Sequence, residues 1–199
     1  MSTPGGNFFG PGVSAEVSLQ VLLEEYRAMN ALLLFRLLAI DRRLPLAGSL
    51  LTGSLAAIPT LPPMAASVIL WAVPAGAVWL VANAVAHARS KEDHLHRIAE
   101  LEELVNRIAG QPLMQFQSRH PSRGRFVAGR SGQSSIIGIA GASSAWLIGT
   151  IYMAAEALPP SEAVRYTFGG FVVAAAVAQA WELYRLTVYR PRRIILSDS

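Results

Sequence analysis

The chain has 199 residues, of which 52% are apolar and 15% charged, and its mean hydropathy is +0.37. The apolar content and mean hydropathy are high for a soluble domain, the charged fraction is low and the charges cluster between apolar runs, so we expect an all-α integral membrane protein with four transmembrane helices. The sequence contains no cysteine, which excludes disulfides, thiolate metal sites and a cysteine nucleophile.

The chain begins with a tail rich in Gly and Pro, residues 1–12, followed by a helical segment over residues 13–43 that Ser14 can cap. This segment is amphipathic in its first half. Its second half is mostly apolar, but Arg36 interrupts a run that is too short to cross a bilayer. We favour a helix lying along the membrane surface, and the alternative is a helix packed against the cytosolic extension described below.

Residues 44–87 are expected to form a transmembrane hairpin. In the first span, over residues 44–61, Ser49 and Gly53 begin a row of small residues four apart, which lets another helix come close. Three prolines mark the turn. The second span, over residues 64–87, contains no charged residue, and at roughly 1.5 Å per residue it can cross the ~30 Å hydrocarbon core.

The second span continues without Gly or Pro into a charged helix, residues 88–110, which we call the stalk. Its apolar side follows spacings of four and three over about two heptads, at His94, Ile98, Leu101, Val105 and Ile108. This pattern predicts an oligomer contact or packing on the helix of residues 13–43. A solvated helix with one apolar side covered within the same chain is the plainer alternative.

Residues 111–134 form a basic loop that carries Arg119, Arg123, Arg125 and Arg130. Arginines among small residues can bind the phosphates of a nucleotide or an oligonucleotide through bidentate hydrogen bonds. A topology determinant that faces anionic lipid headgroups would show the same pattern.

A second transmembrane hairpin is expected over residues 135–188, before a tail of residues 189–199. Its two spans again carry rows of small residues, Gly141, Ala145 and Gly149 in one and Gly170 and Ala174 in the other. Such rows indicate close helix packing first, and the wall of a multi-subunit pore second.

The distribution of basic residues predicts topology. Four lie before the first span, eight between the second and third, and four at the end of the chain, whereas the two opposite turns share only Arg165. By the positive-inside rule, both termini and the central region are cytoplasmic, which places a multi-pass protein in a bacterial inner membrane.

No motif for a nucleophile, a metal protease or a phosphate-binding loop occurs, so we expect neither an enzyme nor a cofactor. His94 and His96 are two residues apart on a helix and therefore point in different directions, which argues against a shared metal ion.

Polar residues in the fourth span are few. A glutamate in mid-membrane would suggest proton-coupled transport, but Glu182 lies near the inner end, where Arg185 can form a local ion pair with it. Glu156 lies near the outer end of the third span. Gln179 is the most deeply placed strongly polar side chain of the fourth span, and it could line a pore or bridge helices.

The segment EEYRAMNALLLFRLLAIDRR, followed by a span that runs into the charged helix VWLVANAVAHARSKEDHLHRIAELEE, resembles a group of small bacterial four-span proteins. Proteins of this kind are membrane effectors beside nucleotidyltransferases in anti-phage defence systems, including the Hailong type. The resemblance covers about residues 23–105 and the four-span layout. It implies an oligomeric, pore-forming effector that stays closed until infection, with a nucleotidyltransferase as a partner protein.

We therefore expect an oligomeric membrane effector or ion channel, gated by a cytosolic nucleotide or nucleic-acid signal. In it the stalk assembles subunits, the basic loop senses the signal and the small-residue faces pack the pore, with membrane lipids around it. A small proton-coupled transporter and a non-enzymatic membrane scaffold are the alternatives.

Overall fold

The structure is a computed structural model that describes residues 14–115, 129–158 and 161–189. These residues form four α-helices and a 3-10 turn, and no strand occurs among them. The helices are α1 (Ala15–Ala57), α2 (Pro63–Ala109), α3 (Gly129–Ala157) and α4 (Glu162–Thr187), and the turn between α1 and α2 is Ile58–Thr60. The predicted all-α class is confirmed.

Helix α1 is a single helix of 43 residues, longer than the sequence predicted. The Ser14 hydroxyl caps it as expected, accepting a hydrogen bond of 3.2 Å from the Val17 amide. The helix then runs through Pro45 to Ala57, so a helix end near residue 43 is wrong, while the assignment of residues 13–43 and 44–61 to different places relative to the membrane stays a prediction. The physical reason is that charged residues mark a membrane boundary but do not break a helix.

The first half of α1 packs against the stalk. Leu22 lies in an apolar cluster with Leu101, Leu104 and Val105, and partly buried side chains of both helices surround it. Packing of α1 on the stalk, one of the two predicted placements, is what the structure shows, and the position of α1 relative to a membrane stays a prediction. The apolar residues on this side of α1 are covered by the stalk, whereas Val17, Val21 and Phe35 are exposed.

The stalk residues predicted for an oligomer contact are mostly buried within one copy of the chain. Ile98 and Leu101 are fully buried within the chain and Val105 is nearly so, while His94 and Ile108 are half-buried. Since Leu101 and Val105 pack against α1, packing within the chain accounts for this part of the pattern, and an oligomer contact of the stalk stays a prediction.

Helix α2 is the axis of the fold. Its 47 residues correspond to about 70 Å at 1.5 Å per residue, and it contacts each of the other three helices. It ends at Gly110, whose positive φ of 69° makes a left-handed cap that glycine adopts without strain. Residues 64–87 and the stalk thus belong to one continuous helix, and their division into a span and a cytosolic stalk stays a prediction.

Around α2, the apolar half of α1 lies on one side and α4 on the other, with α3 touching all three. Trp71 of α2 packs edge-on against Phe168 of α4, with ring centroids 5.2 Å apart. Trp146 of α3 packs with Val73 and Ala77 of α2. Among the described residues α1 and α4 make no contact with each other, so the α2–α3 pair forms the middle of the bundle.

Three of the described helical segments are long and apolar enough to cross a membrane, namely Pro63–Ala109, Ile136–Ala157 and Glu162–Thr187. This indicates a membrane protein. The predicted first span, residues 44–61, is not among them and stays a prediction.

Exposed aromatic residues lie near both ends of α4. Tyr166 is near its start, and Trp181 and Tyr184 are near its end with their rings 5.8 Å apart. The separation from Tyr166 to Tyr184 is about 27 Å along a helix, close to the thickness of the hydrocarbon core. Tyr and Trp prefer the two membrane–water interfaces, so this spacing matches α4 to one bilayer crossing.

Candidate functional site

The polar side chains that could carry function form three groups along the bundle. The first lies in the hairpin that extends beyond the apolar spans, which we call the projecting hairpin and define as residues 15–35 of α1 and 89–109 of α2. The second lies where α4 ends against α2. The third lies inside the spans.

In the projecting hairpin, Arg97 of α2 ties the two helices together. Its Nη2 and Nε donate hydrogen bonds of 2.6 and 3.1 Å to one carboxylate oxygen of Glu25 on α1. Its Nη1 lies 3.6 Å from Glu100 Oε2, which is a looser ion pair within α2. Because Arg97 and Glu100 are largely shielded from water, this cluster is screened less than a surface pair.

A second polar contact lies beside it, between Tyr26 and Glu102. The Glu102 side chain is fully buried, and the Tyr26 hydroxyl donates a hydrogen bond of 3.5 Å to its Oε1. A carboxylate in apolar surroundings is costly unless polar groups satisfy it, so a buried acid restricts how the helices can pair. Together with Arg97, it fixes the register of α1 along α2.

At the end of α4, Tyr189 is held against α2. The Arg89 guanidinium lies over its ring, 5.3 Å from the centroid, and its hydroxyl donates a short hydrogen bond to Asp93. Partial burial, followed by this hydrogen bond and the charge of Asp93, raises the pKa of Tyr189 to about 12. Tyr189 is therefore a neutral donor at physiological pH, and it ties the chain after α4 to the base of the projecting hairpin.

Inside the spans, the buried polar side chains among the described residues are Ser143, Thr150 and Gln179. Thr150 bonds back to the Trp146 carbonyl of its own helix at 2.6 Å, and Ser143 reaches the Ala77 carbonyl of α2 at 3.5 Å. Gln179 is 5% exposed, and its Nε2 has no hydrogen-bond partner among the residues that the structure describes. Gln179 is thus a buried donor in the packed bundle and does not face outward.

The predicted local ion pair in α4 is confirmed. Arg185 Nη1 donates to Glu182 Oε1 at 2.7 Å, and the Glu182 carboxylate is mostly shielded. Glu156, near the end of α3, is exposed. Neither acid lies in the middle of its helix.

The rows of small residues mostly face out of the bundle. Gly53, Gly141 and Gly170 have open space where a side chain would point, and Ser49, Ala145 and Ala174 are exposed. Gly149 differs, because it packs against Leu55 of α1. Among the described members of these rows, Gly149 is the one glycine that packs closely against another helix within one copy of the chain.

The basic loop falls largely outside the described residues. Arg119, Arg123 and Arg125 lie outside them, and of Arg130 only the backbone, in the first turn of α3, is described. The entry to the loop is ordered by Asn106, whose side-chain oxygen accepts a hydrogen bond of 2.8 Å from the Met114 amide. The role of the four arginines as a binding site for phosphates stays a prediction.

Sequence reasoning missed the polar contacts between helices, such as Arg97 with Glu25 and the Trp146 indole N–H with Thr52 Oγ1 at 3.0 Å. Both join residues more than 70 positions apart, so no spacing along one helix signals them. The described residues contain no cluster of three or more His, Asp or Glu side chains that could hold a metal ion.

In comparisons with known proteins, no family model, curated protein or solved structure matches the chain.

Proposed function

We propose that the chain is a subunit of an oligomeric membrane effector or ion channel with four spans and both termini in the cytoplasm of a bacterium. A cytosolic nucleotide or oligonucleotide would gate it, and anti-phage defence is the role that the resemblance implies. The observation that carries this proposal is the outward orientation of the small residues in the spans.

Small residues at the surface of a transmembrane helix leave the backbone open to close approach by another helix. Gly141 and Ala145 on α3, and Gly170 and Ala174 on α4, present such surfaces that this chain itself does not cover. In lipid, van der Waals contact along such faces is a principal source of helix association. These faces therefore favour contacts between copies of the chain.

A conducting path would then lie between copies. Within one copy, the described residues bury only three polar side chains at membrane depth, Ser143, Thr150 and Gln179, and two of these bond to backbone carbonyls. A pore needs polar groups or water along its whole length, so three separate side chains in a packed bundle do not supply one.

The basic loop is proposed as the sensor because its arginines can form bidentate hydrogen bonds with phosphate. It follows directly on the stalk, so phosphate bound there would act on α2 and α3 together. The base of the projecting hairpin, where Arg89, Asp93 and Tyr189 meet, is the place where such a signal would reach the spans.

The test is ion flux from proteoliposomes loaded with a potassium-sensitive dye, measured with and without a short oligonucleotide. We expect flux that the oligonucleotide changes, and a variant with alanine at Arg119, Arg123, Arg125 and Arg130 that conducts but ignores it. A matched control, Arg165→Ala, removes a basic residue at the other end of the bundle and should keep the response.

The absence of flux under every condition would reject the channel. The transporter alternative makes a separate prediction, that Glu182→Gln abolishes coupled transport while assembly stays intact. Because Glu182 is paired with Arg185 near the end of α4, we expect instead that this variant conducts normally.

A further inference from the structure

In the described part of the chain, one side of α2 within its apolar half is left open between two other helices. Helices α1 and α4 both contact α2 but make no contact with each other among the described residues. Gly76 of α2 meets Leu51 of α1. Trp71 of α2 packs against Phe168 of α4. Between these two sides of α2 lies a row of residues, exposed or half-buried, with alternating spacings of four and three: Val68, Ala72, Ala75, Trp79, Ala82, Ala86 and Arg89. This row is the floor of a groove with α1 and α4 as its walls, and we call it the α2 groove.

The half of the α2 groove nearer the projecting hairpin has the length of one membrane leaflet. It begins at Trp79, which is 59% exposed and stands out from the floor, and it ends at Arg89, the first charged residue after the apolar span. Ten residues of helix rise about 15 Å, which is half of the ~30 Å hydrocarbon core. Between these two residues the floor consists of Ala82 and Ala86, whose small side chains leave room for an acyl chain along the helix.

The polar residues of this half lie at its mouth or on one flank. Asn83 and His87 are half-buried and four positions apart, so they share one side of α2. Asn83 follows Gly76 by seven residues and therefore lies on the flank toward α1, where Gly76 meets Leu51. The floor from Trp79 to the residue before the mouth is apolar.

The mouth of the groove carries two arginines. The Arg89 guanidinium lies over the ring of Tyr189, and its buried Nε has no hydrogen-bond partner in the part of the chain that the structure describes. Arg185 lies four residues before Tyr189 and thus on the same side of α4. One of its nitrogens donates to Glu182, but the side chain is 45% exposed. Guanidinium groups with donors still available bind phosphate oxygens well.

Exposed aromatic side chains place this mouth at the edge of a bilayer. Ala88, the residue before Arg89, packs with Leu183 of α4, which fixes the level of Arg89 along that helix. Trp181 and Tyr184 are exposed at the same level. Tyr and Trp prefer the membrane–water interface, which is also where lipid phosphates lie.

We infer that the half of the α2 groove between Trp79 and Arg89 binds one phospholipid of net negative charge. Its phosphate contacts Arg89 and Arg185, and one acyl chain lies along the floor as far as Trp79. Asp93 and Glu182 offset part of the charge of the two arginines, so the site suits a single phosphodiester better than a polyanion. A helix of a second copy fits less well, because Trp79 would hold it off the floor. The inference requires that α2 and α4 cross a membrane, and it does not depend on ion flux.

The experiment is native mass spectrometry of the detergent-purified chain, titrated with phosphatidylglycerol, phosphatidylcholine or inorganic phosphate. We expect one phosphatidylglycerol to bind about tenfold more tightly than phosphatidylcholine, as roughly two arginines near an anionic headgroup would produce. Inorganic phosphate should not displace it, because the acyl chain contributes to binding. Arg89→Gln should reduce the preference to about threefold. Arg27→Gln, the same change at an exposed position of the projecting hairpin, should keep it.

A second pair of variants tests the apolar part of the site. Ala86→Phe fills the floor without changing charge and should abolish binding of both lipids. Its matched control is Ala180→Phe, at an exposed position of α4 on the side away from Arg185, which should bind phosphatidylglycerol like the unmodified chain.

Equal affinities for the two lipids, or a preference that persists unchanged in Arg89→Gln, would overturn the inference. Displacement by inorganic phosphate would also overturn it and assign a free phosphate to the mouth. Unchanged lipid binding in Ala86→Phe would show that no acyl chain lies in the groove, and loss of a dimer mass in that variant would assign the groove to a second copy. Lipid binding as expected, without any ion flux in proteoliposomes, would keep this site and reject the channel.

Discussion

Leu55 of α1 occupies the space that a side chain at Gly149 of α3 would need. A Cβ atom added at Gly149 would lie 2.7 Å from Leu55 Cδ2, and Leu51 meets Gly76 of α2 at the same distance. Two leucines one turn apart on α1 thus insert against glycines of two different helices. Here α1 packs tightly against α2 and α3, as the proposed crossing of the membrane by its apolar half requires.

A branched side chain at Gly149 should therefore weaken the bundle. We expect Gly149→Val to lower the free energy of unfolding by about 1–3 kcal/mol, because Leu55 must leave its rotamer or α1 must shift. The matched control is Gly138→Val on the same helix, where a side chain meets open space. Thermal unfolding of both variants in detergent, followed by the protection of α1 from proteolysis, gives the comparison. Equal stabilities would show that α1 does not contact α3 at Gly149.

Arg97 should hold the projecting hairpin closed. We expect Arg97→Met to destabilise the pairing of α1 with α2 by about 1–3 kcal/mol, since two charge-assisted hydrogen bonds to Glu25 are lost. The readout is amide hydrogen exchange over residues 16–35, which should accelerate in this variant.

The control for that measurement is Arg185→Met, which removes a local ion pair of α4 and should leave the exchange of α1 unchanged. If Arg97→Met exchanges like the unmodified chain, the apolar contacts around Leu22 hold the hairpin without help from the ion pair.

The raised pKa of Tyr189 predicts where stability depends on pH. A raised pKa in the folded state means that the folded protein binds the phenolic proton more tightly, so this stabilisation is complete below pH 10. It is lost as pH rises from 10 to about 12. An absorbance titration of the tyrosinate band should lose its latest step in Tyr189→Phe.

In Asp93→Asn that step should move to lower pH while remaining above 10, because the contribution of burial stays. A titration of Tyr189→Phe identical to that of the unmodified chain would mean that the tail does not pack against Asp93 and Arg89.

The sequence predicts where the helices of this protein lie better than it predicts which element each side of a helix packs against. Prolines near residue 60 and Gly110 mark helix ends, so the turn and the length of α2 follow from local chemistry. The heptad pattern of apolar residues on the stalk predicts that this side packs against something. The same pattern is expected whether the packing partner is a second copy, a soluble partner or α1. An ion pair between residues three apart on one helix can also be predicted from the sequence, as Glu182 and Arg185 show. The ion pair of Arg97 with Glu25 cannot, because it depends on how two helices align.

A substitution at Gln179 distinguishes a role of this residue in helix packing from a role in ion conduction. Its Nε2 is a buried donor with no partner among the described residues, and an unsatisfied donor costs about 1–3 kcal/mol. Gln179→Leu should therefore raise the free energy of unfolding by about 1 kcal/mol or more. The same substitution at exposed Gln20 should change it little. Thermal unfolding in detergent measures the stability, and the proteoliposome assay measures flux.

A more stable Gln179→Leu with unchanged flux would place this residue in a packed interior and the pore elsewhere, between copies. Loss of flux without a gain in stability would mean that Gln179 faces the conducting path in the assembled protein. That result would require α4 to rotate relative to α2 and α3 on assembly, since Gln179 is turned into the bundle in the single chain.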